Sequence, residues 1–213
     1  MPAGKSRRKA KDDRGLRDRI IDAALAAIAE KGWQGTDCGD VIARAGVSAA
    51  EFYREFDDLV SVVIAAMRRA NAEMHAASVD IEPEDTVRER LFALLMARFD
   101  AASPHRATIS AVLRAIPFDP QLAMRLLHAL AAMAEQALTL AGAGGPGGRA
   151  GHFLRARLLL VSVILPTARI WLRDDSPDLA KTMVALDAAL ARAERAARLF
   201  ARSEESEEKR ESL

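Results

Sequence analysis

Residues 37–56 read DCGDVIARAGVSAAEFYREF and contain two short helical segments joined by a tight turn. Gly46 can adopt the positive φ that such a turn needs, and the apolar Val47 can fill the space between two helices. Ser48 and Glu51 have the S-x-x-E spacing of a capping box, which fixes the start of the second helix. Glycine, apolar residue and capping residue in this order predict a helix-turn-helix.

The segment before this stretch has the periodicity of an amphipathic helix. Leu16, Ile20, Ala24 and Ile28 recur at four-residue intervals and form one apolar stripe. Gly32 follows the last turn and can end the helix in the left-handed conformation. We therefore expect a third helix packed against the helix-turn-helix.

The rest of the chain also favours helices, because no stretch alternates apolar and polar residues with the period of two that strands show. Proline follows a capping residue at Ser103-Pro104, Asp119-Pro120 and Ser176-Pro177, which is typical of helix starts, and Glu82-Pro83 resembles them. The predicted fold class is all-α. The expected helices are residues 15–31, 38–45, 49–55, 59–78, 83–101, 104–115, 120–141, 150–173 and 177–202.

Charge is distributed unevenly along the 213 residues, although the net charge is only +1. Residues 1–19 contain eight basic and three acidic side chains, whereas residues 203–213 contain five acidic and two basic ones. We expect a flexible basic arm at the first end and a disordered acidic tail at the other. A basic arm suits the phosphate backbone of nucleic acids.

Several classes of protein are disfavoured by composition. The single cysteine, Cys38, cannot form an internal disulfide, and the first residues lack the apolar region of a signal peptide, so we expect a cytoplasmic protein. The longest apolar stretch, residues 158–165, is too short to span a membrane. The four histidines are far apart and no metal-ligand spacing occurs, so we expect neither an enzyme nor a metal site nor a cofactor.

Residues 19–63 resemble the N-terminal domain of the TetR family of bacterial regulators. The resemblance is carried by the first helix (RIIDAALAAIAEKGWQGT), the turn ARAGVS, and a second helix with Phe52, Tyr53 and Phe56. It implies a DNA-binding head of three helices, a helical body that binds a small molecule, dimerisation through the last two helices, and release of DNA when the ligand binds.

By position, the resemblance implies the following contacts with a double-stranded DNA operator. Thr36 and Tyr53 would contact phosphates, and Ala49, Ala50 and Arg54 would face the major groove, with Ser48 opening the recognition helix and Arg44 near its edge. The basic arm, through Lys5, Arg7, Arg8 and Lys9, could reach the backbone or the minor groove.

Three positions differ from the family pattern. Ala49 and Ala50 stand where lysine followed by glycine or proline is common, so base reading would depend on Arg54 and on thymine methyl groups. Leu59 replaces a lysine that usually contacts phosphate, and Ile42 is bulky where a small residue usually packs.

The implied organisation has four parts. These are a basic arm (1–14), a helix-turn-helix DNA-binding domain (15–60), a helical ligand-binding and dimerisation domain (61–202) and an acidic tail (203–213). A small hydrophobic effector would be bound by apolar residues of the middle helices. The candidates are Phe92, Met96, Phe99, Ile109, Leu113, Phe118, Leu122 and Leu126.

The last two helices carry apolar stripes that could pair with a second copy in a four-helix interface. The candidates for the homodimer contact are Leu158, Val161, Leu165, Leu179, Met183, Leu186 and Leu190. The predicted function is a ligand-responsive DNA-binding regulator, acting as a repressor on a palindromic operator. Two alternatives remain open, a helical protein-interaction module without effector and a redox-responsive regulator that uses Cys38.

Overall fold

The structure, a computed structural model, describes the backbone of residues 3–143 and 150–211, and the side chains of residues 15–143 and 154–199. Within these ranges it is all-helical and contains no strand, which confirms the predicted fold class. The α-helices are α1 (Ala3–Lys31), α2 (Cys38–Ala45), α3 (Ala49–Glu55), α4 (Leu59–Ala77), α5 (Val87–Ala102), α6 (Arg106–Ala115), α7 (Pro120–Leu140), α8 (Ala150–Trp171) and α9 (Ala180–Glu211).

The outer helices are longer than expected. α1 begins at Ala3 and α9 continues to Glu211, so the backbone is helical over most of the expected arm and tail. Both segments are rich in alanine, lysine, arginine or glutamate, which favour helix even where no core forms. The side chains of the arm and of the tail lie outside the described residues.

Proline was a poor guide to helix starts. Asp119 caps α7 at Pro120, as predicted, with its carboxylate accepting the Leu122 backbone N–H at 2.9 Å. Helix α5 instead begins after Thr86, whose hydroxyl accepts the Glu89 N–H at 3.3 Å, and the predicted start at Pro83 is wrong.

Helix α9 begins three residues after Pro177, because a buried carboxylate determines the start. Asp174 is fully buried and accepts the backbone N–H of Thr182 at 2.8 Å and its hydroxyl at 2.6 Å. Between them, Leu179 has a φ of 56°, which a non-glycine residue seldom adopts. The predicted helix start at Pro177 is therefore wrong, and Pro177 lies in the preceding turn, although the Ser176 hydroxyl does accept the Ala180 backbone N–H at 2.9 Å.

The chain divides into two compact units. The first unit comprises Met1–Arg69 and Ser103–Ala129, and the second comprises Ala70–Ala102 and Leu130–Leu213. This grouping is not linear, since α6 and the first part of α7 join the N-terminal helices, whereas the predicted division placed a boundary near residue 60.

The core of the first unit is built on the predicted stripe of α1. Ile20 and Ile28 are completely buried together with Val41 of α2, Phe52 of α3 and Val62 of α4. Helix α6 also contacts α1, where the Thr108 hydroxyl donates to the carbonyl oxygen of Leu25 at 2.7 Å. The helix-turn-helix is thereby held on a rigid base.

The core of the second unit is formed by α4, α5, α7, α8 and α9. Met74, Leu94, Met133 and Leu186 are almost completely buried there. The ring of Phe99 lies 5.6 Å from that of Trp171, which joins the end of α5 to the end of α8.

Candidate nucleic-acid interface

The helix-turn-helix has the boundaries predicted from the sequence, and both of its helices are capped. Asp37 caps α2 by accepting the Asp40 N–H at 2.8 Å, while Asp40 accepts the Asp37 N–H at 3.2 Å. Gly46 ends α2 with φ 63° and ψ 40°, the left-handed conformation that the turn requires. Val47 then packs on the core between the two helices.

Helix α3 starts at the predicted capping box. The Ser48 hydroxyl accepts the Glu51 N–H at 3.2 Å, and the Glu51 carboxylate accepts the Ser48 N–H at 2.8 Å. These hydrogen bonds from Ser48 hold the pKa of Glu51 below its ordinary value, so the cap is intact at neutral pH. The first turn of α3 is thus fixed before any ligand arrives.

Two faces of α3 have opposite characters. Phe52 and Phe56, at the inner face, are 0% and 3% exposed and fix the helix to the core. Ala49, Ala50 and the exposed side chain of Arg54 lie on the outer face, with Tyr53 beside them at 56% exposure. A short, rigid helix that presents such a face fits the major groove of B-DNA.

Comparison with known proteins points to the same element. The model of the bacterial regulatory proteins of the tetR family matches residues 20–62, which include α2, the turn and α3. Residues 20–62 are thus similar to the N-terminal domain of the tetR family of bacterial regulatory proteins. A search of curated proteins finds no match for the chain.

Solved structures share the fold over most of the chain. The TetR transcriptional regulator from Nitrosomonas europaea has a TM-score of 0.66 at 21% identity, over 84% of this chain and 98% of that one. A tetR-family transcriptional regulator from Streptomyces coelicolor has a TM-score of 0.58 at 21% identity, over 88% and 83%. At this identity the likeness shows the fold alone.

The three departures from the TetR pattern now have positions in the domain. Ala49 and Ala50 are exposed, as groove-facing residues must be. Leu59 is 8% exposed and belongs to the core of the first unit, so a leucine there is explained by packing. Ile42 is half-buried against the same core, which accommodates its larger side chain.

Thr36 and Arg44 both form hydrogen bonds to other residues of the segment that matches the family model. Thr36 is buried, and its hydroxyl donates to the carbonyl oxygen of Gly32 at 2.8 Å, which leaves only its lone pairs for a further partner. Arg44 forms a bidentate ion pair with Glu30, whose carboxylate accepts a hydrogen bond from Nη1 at 2.7 Å. Its role near the groove edge would require this exposed pair to open.

Arg54 lies beside a second ion pair. Its Nε is 3.4 Å from Glu55, whose carboxylate also lies 3.4 Å from Nη1 of Arg17. The Arg17 guanidinium lies over the ring of Phe56, 4.4 Å from its centre. Arg17 therefore holds Glu55 at the end of α3, a role that the sequence alone did not indicate.

The predicted contacts from Lys5, Arg7, Arg8 and Lys9 concern side chains outside the described residues. Among the residues with described side chains, no three His, Cys, Asp or Glu side chains gather as they would around a metal ion. In the same part of the chain, no helix combines the length and the apolar character that crossing a membrane requires.

Cys38 lies at the start of α2 and is half-buried against the core. Burial raises the pKa of its thiol, so the thiolate that reacts with oxidants is scarcer than in a free cysteine. This environment suits packing rather than redox sensing.

The eight predicted effector contacts do not fall in one unit. Phe99 is buried in the second unit, where Phe92 and Met96 pack at the edge of the core. Leu122 and Leu126 are buried in the core of the first unit. The remaining residues also belong to the first unit: Ile109 and Leu113 are half-buried, and Phe118 is 78% exposed.

The predicted dimer residues divide between inner and outer faces. Val161, Leu179, Leu186 and Leu190 are buried within the second unit, where α8 packs against α9. Leu158, Leu165 and Met183 are 59%, 42% and 39% exposed. Other exposed apolar side chains on these helices are Leu154, Leu199, Ile170 and Val184, of which Ile170 and Val184 lie outside the apolar stripes recognised in the sequence.

Proposed function

We propose that this TetR-family regulator acts in the cytoplasm as a ligand-responsive repressor. It binds a palindromic operator as a homodimer and leaves the DNA when a small hydrophobic effector binds. The proposal of DNA binding rests on the outer face of α3. There, small side chains and Arg54 are exposed on a helix whose start is fixed by the Ser48–Glu51 cap.

Dimerisation is supported by apolar side chains exposed on α8 and α9. Leu154, Leu158 and Leu165 follow one another along α8 at helical spacing, and Val184 is 72% exposed on α9. Contiguous apolar surface of this kind marks interaction sites. A two-fold pair would place the two recognition helices about 34 Å apart, one turn of the duplex.

The first experiment selects DNA from a random pool with the purified full-length chain. A palindromic sequence with half-sites one turn apart should be enriched. A selection that yields no enriched palindrome would contradict operator binding by a dimer.

The second experiment tests base reading by Arg54. The Arg54→Ala variant should lose about 1–3 kcal/mol of binding to the selected operator and much less on random duplex. Arg114→Ala is the matched control, since Arg114 is an exposed arginine of the first unit whose Nη1 donates to the Ser110 hydroxyl of the same helix at 2.6 Å. Equal losses on both DNAs would show that Arg54 contacts the backbone instead.

A further inference from the structure

The second unit contains an arginine without an acidic partner. Arg98 lies on α5 one turn after Leu94 and Leu95, which are 0% and 1% exposed. Burial lowers the pKa of its guanidinium to about 10, and no neighbouring carboxylate opposes this effect. The group nevertheless stays charged at neutral pH, so among the described residues Arg98 is a half-buried cation without a counter-ion.

Two amides hold this guanidinium in place. Nε of Arg98 donates to Oδ1 of Asn71 on α4 at 2.9 Å, and Nδ2 of Asn71 donates to Oε1 of Gln136 on α7 at 3.1 Å. Asn71 is 7% exposed, so the arrangement is built into the helix packing. Arg98 uses one of its five N–H donors in this way.

The remaining donors of Arg98 point to a ligand. Its terminal nitrogens Nη1 and Nη2 have no hydrogen-bond partner among the described residues, yet they are not sealed from solvent. A half-buried charge without a counter-ion costs stability, and such groups occur where an anion is bound. The two terminal nitrogens form a planar fork that matches a carboxylate.

The network lies between apolar core residues and a depression on the surface of the second unit. Met74 and Met133 lie one turn from Asn71 and Gln136 respectively, and both are almost completely buried. The exposed Gln136 also lines a surface depression of about 410 Å³, together with His75, Ala132, Glu135, Thr139 and Leu140. The carboxylate of Glu135 lies 3.6 Å from Nη1 of Arg157, which offsets its negative charge.

We propose that the effector is a small organic acid with an apolar body, and that Arg98 binds its carboxylate while Asn71 and Gln136 position the guanidinium. The described network contains one guanidinium and no second cation. It therefore matches the single negative charge of a carboxylate better than the higher charge of a phosphate. The inference rests on the proposed function, because it names the chemical class of the effector.

Calorimetric titration of the full-length chain without DNA tests the proposal. The probes are benzoate, decanoate and indole-3-acetate, each compared with its primary amide. At least one acid should bind about 10- to 100-fold more tightly than its amide, as expected for charged hydrogen bonds. No binding by any of the three acids, or equal binding of acid and amide, would overturn the proposal.

Two variants test whether Arg98 is the group that binds the carboxylate of the acid. Arg98→Met should bind the acid no better than its amide, whereas Arg90→Met should bind as the wild type does. Arg90 is the matched control on α5, because it donates to the Pro83 carbonyl at 2.9 Å and not to the network. Unchanged binding of the acid by Arg98→Met would refute the assignment.

Thermal unfolding separates ligand binding from a structural role. Without ligand, Arg98→Met should unfold at the same temperature as the wild type or higher, because it removes a half-buried charge that has no counter-ion. A markedly lower unfolding temperature would make Arg98 a structural residue and overturn the proposal. These measurements contain no DNA, so they are independent of the operator selection. If the selection fails, acid binding by Arg98 can still be observed, and if no acid binds, the proposal of DNA binding is unaffected.

Discussion

In the proposed complex, Glu55 would influence how easily Arg54 reaches a base. The carboxylate lies 3.4 Å from Nε of Arg54 and is held from the other side by Arg17. Arg54 is 55% exposed in its side chain, and exposed ion pairs contribute about 0–1 kcal/mol. A two-pronged contact with guanine contributes about 1–3 kcal/mol, so base reading by Arg54, if it occurs as proposed, would outweigh the loss of the pair.

His105 gives the first unit a dependence on pH. Burial lowers its pKa, and the nearby Arg69 lowers it further, while Asp22 acts in the opposite direction. Because the folded state disfavours the proton, His105 adds stability above the ordinary histidine pKa of about 6.5, and this contribution is lost as the pH falls below it.

We predict that the free energy of unfolding decreases as the pH falls from about 7.5 to 5.5. Urea unfolding at a series of pH values measures this trend. The His105→Gln variant should show a flatter trend over the same interval, and His128→Gln is the control, since His128 is exposed in the same unit. If the wild type and His105→Gln had identical pH profiles, His105 would not be the group responsible.

At single residues, the sequence predicted local geometry better than it predicted partners. The Ser48–Glu51 cap and the left-handed Gly46 are confirmed, because both depend on residues a few positions apart. The hydroxyl of Thr36, a predicted phosphate contact, donates to the carbonyl oxygen of Gly32 in the protein alone. That choice depends on the conformation of a loop, which spacing alone does not specify.

Among the elements, the starts of helices show what sequence patterns miss. Asp119 and Pro120 open α7 as predicted, because the cap and the helix are adjacent in sequence. The start of α9 is fixed by Asp174, eight residues before Thr182, whose N–H it accepts. A capping contact between residues that are this far apart in sequence cannot be recognised from a short motif.

We predict that Asp174→Ala destabilises the protein by about 3 kcal/mol, because it leaves the buried donors of Thr182 without an acceptor. Asp175→Ala is the matched control, since Asp175 is the exposed neighbour in the same turn, and it should change stability by less than about 0.5 kcal/mol. Chemical unfolding followed by circular dichroism measures both. If both variants lost similar amounts of stability, the loss would reflect a general sensitivity of the turn and would not support a capping role of Asp174.

For the whole molecule, periodicity identified apolar helices but did not separate inner from outer faces. Helix α9 carries Leu186 and Leu190 on its buried side and Val184 and Leu199 on its exposed side. Both sets have helical spacing, so only the packing of α8 on α9 distinguishes them. The predicted effector contacts are divided between the two units for the same reason, because an apolar residue can pack in either core.

The dimer proposal predicts the effect of a charge on the exposed side of α9. Val184→Arg should convert the dimer to a monomer, because it places a charge in an apolar interface, and operator affinity should fall with it. Light scattering after size-exclusion chromatography measures the mass. Val79→Arg is the control, since Val79 is 84% exposed in the same unit but lies outside α8 and α9, and it should remain dimeric. A Val184→Arg variant that keeps the mass of a dimer would place the interface elsewhere.

Ala49 and Ala50 also bear on how such a protein could change over evolutionary time. Their side chains contribute nothing to the core, and the adjoining cap fixes the helix without them. Substitutions at these two positions could therefore alter the DNA sequence that is recognised at little expense to folding. A lineage carrying this domain could acquire new target genes by changing two codons.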